Sequence, residues 1–311
     1  MAGAAAAPRD HEIGLGPPVD RQRGRATAGL LGIALVWGAS YTAVKDAVEK
    51  MPSADFLAIR FTIAALTMVA LRPGSLRRIR RATMRHGIGL GVGLSAAYLA
   101  VTVGLERTTP AVAGVLTGLL VVIAALVAAA TVRTPISGGT WASLGIGALG
   151  LAAIALRKPG LGIGEGLILL GALVLAGHLV ALAVCSERHD LWALTVVQLL
   201  TAATLLAMVA APGGITTPPD LAVWGAVLLT AVLATAVAYV VQTWAQRRLS
   251  PARVGVLLAT EPVFAVLVAV WLADEIVTWQ LVAGGALVVA AIVVTELAAG
   301  RPREVGDLVD A

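Results

Sequence analysis

Long apolar runs separated by short polar joints dominate the sequence. Ten runs of about 17–25 residues can be drawn, the length with which an α-helix crosses the hydrocarbon core of a bilayer. The runs are continuous and do not alternate with polar residues, a pattern that predicts helices and excludes a transmembrane β-barrel. The predicted segments are 27–46, 54–71, 87–106, 110–131, 140–156, 165–185, 191–211, 221–245, 251–272 and 279–297.

Composition indicates the same class of protein. Hydrophobic residues make up 59% of the 311 residues, charged residues make up 13%, and the mean hydropathy is +0.90. A soluble domain has about 45–50% apolar and about 25% charged residues. The chain is therefore predicted to be an integral membrane protein, with tails at 1–26 (disordered) and 298–311. Its single cysteine, Cys185, excludes an internal disulfide.

The distribution of lysine and arginine predicts the orientation. With the N-terminus in the cytoplasm, 17 of the 23 basic residues fall on the cytoplasmic side and 5 on the outer side, with Arg60 inside the second segment. This asymmetry follows the positive-inside rule and predicts that both termini are cytoplasmic. Few lysines and many Ala, Val, Gly and Arg suggest a GC-rich bacterial genome, and hence the inner (plasma) membrane as the location.

An internal repeat divides the chain. In the stronger match, "AYLAVTVGLERTTPAVAGVL" (97–116) aligns without gaps on "AYVVQTWAQRRLSPARVGVL" (238–257), with nine of twenty positions identical. A weaker match, which pairs Leu35 with Leu173 and Glu49 with Glu187, relates the first two segments to the sixth and seventh. Because matching segments lie five apart, the second half enters the membrane with opposite polarity. Two inverted five-helix units, here 27–156 and 165–297, are an architecture of secondary transporters.

Two stretches resemble a known family. "LVWGASYTAVKDAVEKMPSADFLAIRF" (35–61) and "LATEPVFAVLVAVWLADEIVTWQLVAGGALVVAAI" (258–292) are similar to the EamA-type permeases of the drug/metabolite transporter superfamily. One departure is the fourth segment, where 117–126 has no proline to match Pro262, so a pair of proline breaks is not expected. The resemblance implies a transporter, often an exporter, of small polar or amphipathic metabolites, and amino acids, sugars, nucleobases and drugs all occur as substrates in that superfamily. Amino acids or related amphipathic solutes are the predicted class.

Glu261 and Arg60 are charged residues within apolar stretches of the predicted segments, and their presence there needs an explanation. An intramembrane carboxyl group costs a few kcal/mol and is usually functional or paired. Glu261 either carries a proton during transport or repairs the backbone groups that Pro262 leaves unpaired. Arg60 either attracts an anionic group or forms a structural pair near the outer interface.

Polar and aromatic residues of the first, third, sixth and eighth segments are the candidates for substrate binding. An amphipathic cavity combines aromatic surface with a few polar groups, and an imidazole at the middle of the sixth segment can bind substrate, carry a proton or make a structural hydrogen bond. The predicted substrate-binding residues are Trp37, Ser40, Tyr41, Tyr98, His178, Tyr239, Gln242 and Thr243.

Other function classes fit less well. The segments contain no nucleophile–base pair, metal-ligand spacing or phosphate-binding loop, so no enzyme, metal site or cofactor is predicted. The basic stretch 72–85 is an orientation signal and is not predicted to bind nucleic acid. A passive channel for small solutes remains the alternative to a carrier. The predicted partners are a small-molecule substrate and the lipid bilayer, in a monomer or a homodimer.

Overall fold

The computed structural model describes residues 17–132, 138–155, 162–246, 248–249 and 251–299, and these contain helices and no strands. Two short 3₁₀ turns and one π-helical segment, Leu229–Val237, interrupt the α-helices. The α-helices are α1 Pro17–Val48, α2 Ser53–Leu71, α3 Arg81–Leu105, α4 Pro110–Gly118, α5 Leu120–Val132, α6 Gly138–Ala155, α7 Ile163–Ser186, α8 Leu191–Ala210, α9 Leu221–Leu228, α10 Ala238–Gln246, α11 Pro251–Leu258, α12 Glu261–Leu272 and α13 Trp279–Ala299.

The predicted apolar segments all fall on helices. Within the described residues, seven helical stretches are long and apolar enough to cross a bilayer, and three shorter apolar helices occupy 141–154, 256–272 and 279–295. Together they cover the ten predicted segments, although the crossing of all ten stays a prediction. α1 begins at Pro17, ahead of the predicted first segment and inside the predicted tail. Residues 1–16 and 300–311 lie outside the described residues.

Three predicted segments are interrupted helices. The fourth is divided into α4 and α5, the ninth into α11 and α12, and the eighth into α9, the π-helical segment and α10. In the π-helical segment the Thr235 hydroxyl donates a hydrogen bond of 2.8 Å to the carbonyl oxygen of Thr230. Pro262 marked the interruption of the ninth segment, but continuous apolar character hid those of the fourth and eighth, because hydropathy does not register a change in backbone hydrogen bonding.

Helix boundaries repeat through the chain at the offsets found in the sequence. α1 ends at Val48 and α7 at Ser186, and α2 begins at Ser53 and α8 at Leu191, which is the offset of the weaker sequence match. The offset of the stronger match separates three further pairs of boundaries: the ends of α3 and α10, the starts of α4 and α11, and the starts of α5 and α12. The internal repeat is therefore present in the backbone as well as in the residue identities.

Helix packing follows the same repeat. α1 packs on α12, and their counterparts α7 and α5 also pack on each other. In the same way α3 packs on α7, and their counterparts, the α9–α10 region and α1, pack on each other. Two further contacts join counterparts directly, α2 with α8 and α6 with α13, and α4 of the fourth segment packs on α12 of the matching ninth segment. Contacts that come in pairs, or that join counterparts, are those expected of two similar halves related by a pseudo-twofold axis.

Glycines allow the closest helix approaches. A methyl group on Gly104 of α3 would lie 2.7 Å from the carbonyl oxygen of Gly164 in α7, and one on Gly150 of α6 would lie 2.9 Å from that of Gly284 in α13. Small residues at such crossings let helix backbones approach in a membrane, where van der Waals packing holds helices together. These crossings position the central helices that carry the candidate site.

Candidate functional site

Tyr41 and Glu261 meet at the centre of the candidate site. The Tyr41 hydroxyl on α1 donates a hydrogen bond of 3.2 Å to Oε1 of Glu261, the first residue of α12. The first turn of a helix has unpaired N–H groups and a positive end of its dipole, so a carboxylate is favoured there. The contact is compatible with both interpretations of Glu261, because a proton carrier and a structural cap would occupy the same position.

The site lies beside two interruptions that occupy equivalent positions in the two halves. At each, one N–H bonds to the carbonyl three residues earlier and the helix then resumes its four-residue pattern. The hydrogen bonds are Leu119 N to Leu116 O and Ile123 N to Leu119 O in the first half, and Thr260 N to Leu257 O and Phe264 N to Thr260 O in the second. Each bond of one half corresponds to a bond of the other at the offset of the stronger sequence match.

The interruption in the first half forms without a proline. Gly118 ends α4 next to Pro262, and a methyl group on Gly118 would lie 2.8 Å from Cγ of that proline. Because 117–126 contains no proline, paired interruptions were not expected from the sequence. In the structure the ring of Pro262, in the second half, packs against Gly118 in the first half. The two interruptions therefore pack against each other.

α1 and α4 both approach α12 closely at Ala265. A methyl group on Gly38 would lie 2.7 Å from the backbone nitrogen of Ala265, and one on Gly114 would overlap the Ala265 side chain. The same methyl group on Gly114 would lie 3.4 Å from the ring of Tyr41. Two glycines and an alanine thus hold the Tyr41 ring between α1, α4 and α12.

Trp37 and Ser40 lie on the same part of α1 as Tyr41. The indole Nε1 of Trp37 donates a hydrogen bond of 2.8 Å to the carbonyl oxygen of Ala234 in the π-helical segment. The Ser40 hydroxyl donates one of 2.6 Å to the carbonyl oxygen of Trp37. In this structure Trp37 therefore meets a backbone acceptor of the interrupted eighth segment, and Ser40 bonds within its own helix.

Arg60 and Tyr98 form a second contact among the predicted residues. The guanidinium carbon of Arg60 lies 4.7 Å from the centroid of the Tyr98 ring and 5.4 Å from that of Phe61, distances of cation–π contacts. The Tyr98 and Phe61 rings meet edge to face at 5.2 Å. Tyr41 lies within electrostatic range of both Arg60 and Tyr98. The structure thus brings Tyr41, Glu261, Arg60 and Tyr98 into one region.

His178 contacts α3. Its Nδ1 lies 3.1 Å from the carbonyl oxygen of Leu90, and its side chain is buried, with 7% exposed. A methyl group on the nearby Gly93 would lie 3.9 Å from this side chain, an ordinary contact, so the imidazole packs beside α3 without a clash. This geometry is that of a structural hydrogen bond between α7 and α3, and it leaves Nε2 as the atom available to a ligand.

Tyr239 lies in a different environment from its repeat counterpart Tyr98. Its ring meets Trp192 edge to face at 5.3 Å, and the Arg72 guanidinium carbon lies 5.6 Å from the Trp192 centroid. Trp192 and Arg72 stand at helix ends, so Tyr239 is not brought to Tyr98 and Arg60. Gln242 lies one turn further along α10 and is half-buried. Thr243 is in the same helix, but its side chain lies outside the described residues.

A set of hydrogen bonds to carboxylates, three from hydroxyls and one from a backbone N–H, was missed by the sequence analysis. They join helix ends on the side predicted to be outside, where they tie α2 to α3 and both halves to each other. The contacts are Ser53 to Glu106 at 2.5 Å, Thr108 to Glu165 at 2.7 Å, Thr109 to Glu275 at 2.5 Å and the Thr216 N–H to Asp55 at 2.8 Å. Hydroxyls and acids in short joints carry no periodic signal, so their pairing is visible only in the fold. Among the described residues, no three His, Cys, Asp or Glu side chains cluster as metal ligands.

Comparisons with known proteins agree with the family resemblance and with the fold. The EamA-like transporter family matches residues 25–156 and again 162–297. An "Uncharacterized transporter" of Archaeoglobus fulgidus (strain ATCC 49558 / DSM 4304 / JCM 9628 / NBRC 100126 / VC-16) is 27% identical over 276 residues, covering 88% of this chain and 86% of its own. A protein of known crystal structure has a TM-score of 0.65 at 20% identity, over 90% of this chain and 99% of that chain, and this likeness concerns the fold. The resemblance inferred from the sequence is confirmed.

Proposed function

We propose, on the premise that this chain belongs to the EamA-like transporter family and hence to the drug/metabolite transporter superfamily, that it is a secondary-active exporter of small metabolites. Membership of this family makes the protein a multi-pass membrane transporter. Export, alternating access and the substrate class, amino acids or related amphipathic solutes, are the proposal. The monomer or homodimer and the bacterial inner membrane are part of the same proposal.

The contact between Tyr41 and Glu261 beside the paired interruptions is the observation that carries the proposal. Interrupted helices leave backbone groups without helical partners, and secondary transporters use such groups near the midplane to bind substrates and coupling ions. Here the interruptions of the two halves pack together at Gly118 and Pro262, and an acidic side chain stands at one of them. A site between two halves is where alternating exposure to the two sides is possible.

The topology in the proposal is ten membrane crossings in two inverted five-helix units with both termini in the cytoplasm. Paired helix contacts and repeated boundaries support two similar halves. Five crossings in each half, an odd number, would give the two halves opposite polarity. The arginines of the 3₁₀ turn Pro73–Arg78 and the start of α3 support the cytoplasmic assignment of that joint.

Glu261 is proposed to take up and release the coupling proton. Its carboxyl group lies inside an apolar helix pair, and its hydrogen bond to Tyr41 connects α12 to α1. A proton on Glu261 would remove the charge and weaken this connection, because a hydrogen bond to a charged group is stronger than one to a neutral group. Protonation would thereby be coupled to the packing of one half on the other.

Counterflow in proteoliposomes tests the proposal. Purified protein is reconstituted, a panel of unlabelled amino acids and other metabolites is loaded inside, and uptake of each labelled solute is measured with and without an imposed pH gradient. We expect saturable counterflow of at least one amphipathic amino acid and acceleration by the gradient. Passive flux without counterflow would indicate a channel and contradict the carrier.

Glu261→Gln is compared with Glu187→Gln, which makes the same chemical change at the exposed end of α7. We expect Glu261→Gln to retain counterflow and to lose the response to the pH gradient, while Glu187→Gln behaves as the unmodified protein does. A folded Glu261→Gln protein that still responds to the gradient would show that the glutamate is structural.

A further inference from the structure

Arg60 is a basic side chain enclosed within the helix bundle. Only 6% of its surface is exposed, and it is the one buried lysine or arginine among the residues whose side chains the structure describes. The rings of Tyr98 and Phe61 lie against its guanidinium group and form an aromatic wall. These two cation–π contacts limit the positions that the guanidinium group can adopt.

The described residues give Arg60 no counter-charge. It makes no ion pair, and its Nε is buried without a hydrogen-bond partner. Two candidate carboxylates have other partners, since Asp55 accepts from the Thr216 N–H and Glu261 accepts from Tyr41. The Tyr98 hydroxyl is a polar neighbour that can accept a hydrogen bond from Arg60, but it is not an acidic side chain. A buried charge without a counter-charge is strongly unfavourable, so this environment lacks an anion.

We infer that Arg60 binds the carboxylate group of the transported solute, with Tyr98 and Phe61 holding the guanidinium in place. The inference rests on the proposed function and narrows its substrate class to carboxylate-bearing solutes. The guanidinium fork matches a carboxylate with two parallel hydrogen bonds. The aromatic wall offers apolar surface beside it, which suits an amphipathic acid.

Charge balance favours a carboxylate over a phosphate. One guanidinium neutralises one negative charge, and a carboxylate carries one. A phosphate monoester carries up to two charges at neutral pH, so about one charge would stay uncompensated at a depth where charge is costly. The counterpart of Arg60 in the weaker sequence match is Gln198, a buried neutral side chain whose Oε1 has no hydrogen-bond partner among the described atoms. The second half therefore does not supply a second cation at the position equivalent to Arg60.

Counterflow with matched solutes tests the inference. Each labelled amino acid of the panel is compared with its own carboxamide and with glycerol 3-phosphate. The protein variants are Arg60→Gln, Arg60→Lys and the matched control Arg85→Gln, which removes an exposed arginine at the start of α3. We expect the acid to compete at least about tenfold better than its amide, the size of one hydrogen-bonded charge pair. Arg60→Gln should abolish this preference, Arg60→Lys should keep part of it, and Arg85→Gln should leave it unchanged.

The stability of the protein without solute separates binding from a structural role. If Arg60 has no anionic partner until the solute binds, Arg60→Gln should leave the Tm in detergent unchanged or raise it, because the substitution removes an unpaired buried charge. A Tm lowered by several degrees would show a structural pair and overturn the inference. So would equal exchange of acid and amide, a preference retained by Arg60→Gln, or a preference for glycerol 3-phosphate. Each of these leaves the transporter proposal standing, whereas no counterflow of any solute would remove both.

Discussion

Replacing Gly38 by alanine is a direct test of the close approach between α1 and α12. The added methyl group would lie 2.7 Å from the backbone nitrogen of Ala265 and 2.8 Å from Cβ of Phe264, where ordinary contacts begin at 3.4 Å. The nearest of these atoms belongs to the backbone and cannot rotate aside. The two helices must therefore separate by roughly 0.7 Å at this point, a distance comparable to misfits that overpacked interiors tolerate poorly.

The free energy of unfolding lost through this overpacking is partly offset, because replacing glycine by alanine stabilises a helix. Overpacking of this kind costs about 1–3 kcal/mol, while alanine is favoured over glycine by about 1 kcal/mol inside a helix. Gly32→Ala provides the control, because Gly32 lies in the same helix and a methyl group there would meet nothing within 4 Å. The difference between the two variants isolates the cost of the contact, about 1–3 kcal/mol in favour of Gly32→Ala.

Thermal unfolding in detergent measures this difference, and transport of the reconstituted protein shows its effect on the site. We expect Gly38→Ala to have a lower Tm than Gly32→Ala by a few degrees or more. It should also alter transport, because Tyr41 lies one turn after Gly38 and would move away from Glu261. Equal Tm values for the two variants would refute the reasoning, since they would mean that α1 and α12 are not in contact at Gly38.

Three further outcomes are expected. Tyr41→Phe should cost about 1–3 kcal/mol in the free energy of unfolding, measured by chemical denaturation, because Glu261 loses its hydrogen bond. The hydrogen bond with Lys50 holds the pKa of Asp220 below its usual 3.8, so the Tm difference between unmodified protein and Asp220→Asn should be present at neutral pH and vanish as the pH falls through that lowered pKa. Asp274 has φ of +48°, so Asp274→Gly should keep or raise the Tm and Asp274→Val should lower it.

The periodic features of the fold were accessible from the sequence. Apolar runs predicted the helical segments because crossing a bilayer needs about twenty consecutive apolar residues. The identities around Pro110 and Pro251 predicted the repeat, and the boundaries of α3, α4, α10 and α11 follow it. The site was accessible in part: Tyr41, Glu261, Arg60 and Tyr98 do come together. Polar and charged side chains are energetically unfavourable in an apolar segment, so these residues could be recognised in the sequence as candidates.

The interruption of the fourth segment could not be predicted. Its local sequence, "VLTGLLVV", contains no residue that must break a helix, and the cause lies in the other half of the chain, in the ring of Pro262 against Gly118. The separation of Tyr239 from Tyr98 was hidden for a similar reason. Repeat counterparts share a backbone position, but their neighbours come from different helices. Tyr98 meets Arg60, whereas Tyr239 meets Trp192.

The two halves share their backbone pattern without sharing their chemistry. Tyr98 has an identical counterpart in Tyr239, but other polar members of the site are unmatched: the pairs are Tyr41 and Leu179, Arg60 and Gln198, Ser40 and His178, and Glu261 and Leu120. If alternating access exchanges the conformations of two inverted halves, the apolar packing after the exchange resembles that before it. The free-energy difference between the two access states then depends chiefly on these unmatched side chains. Substitutions at them should shift the equilibrium between the states more than equal changes on the lipid-facing surface, which is why Glu261 and Arg60 are the positions where a bound proton or carboxylate would drive transport.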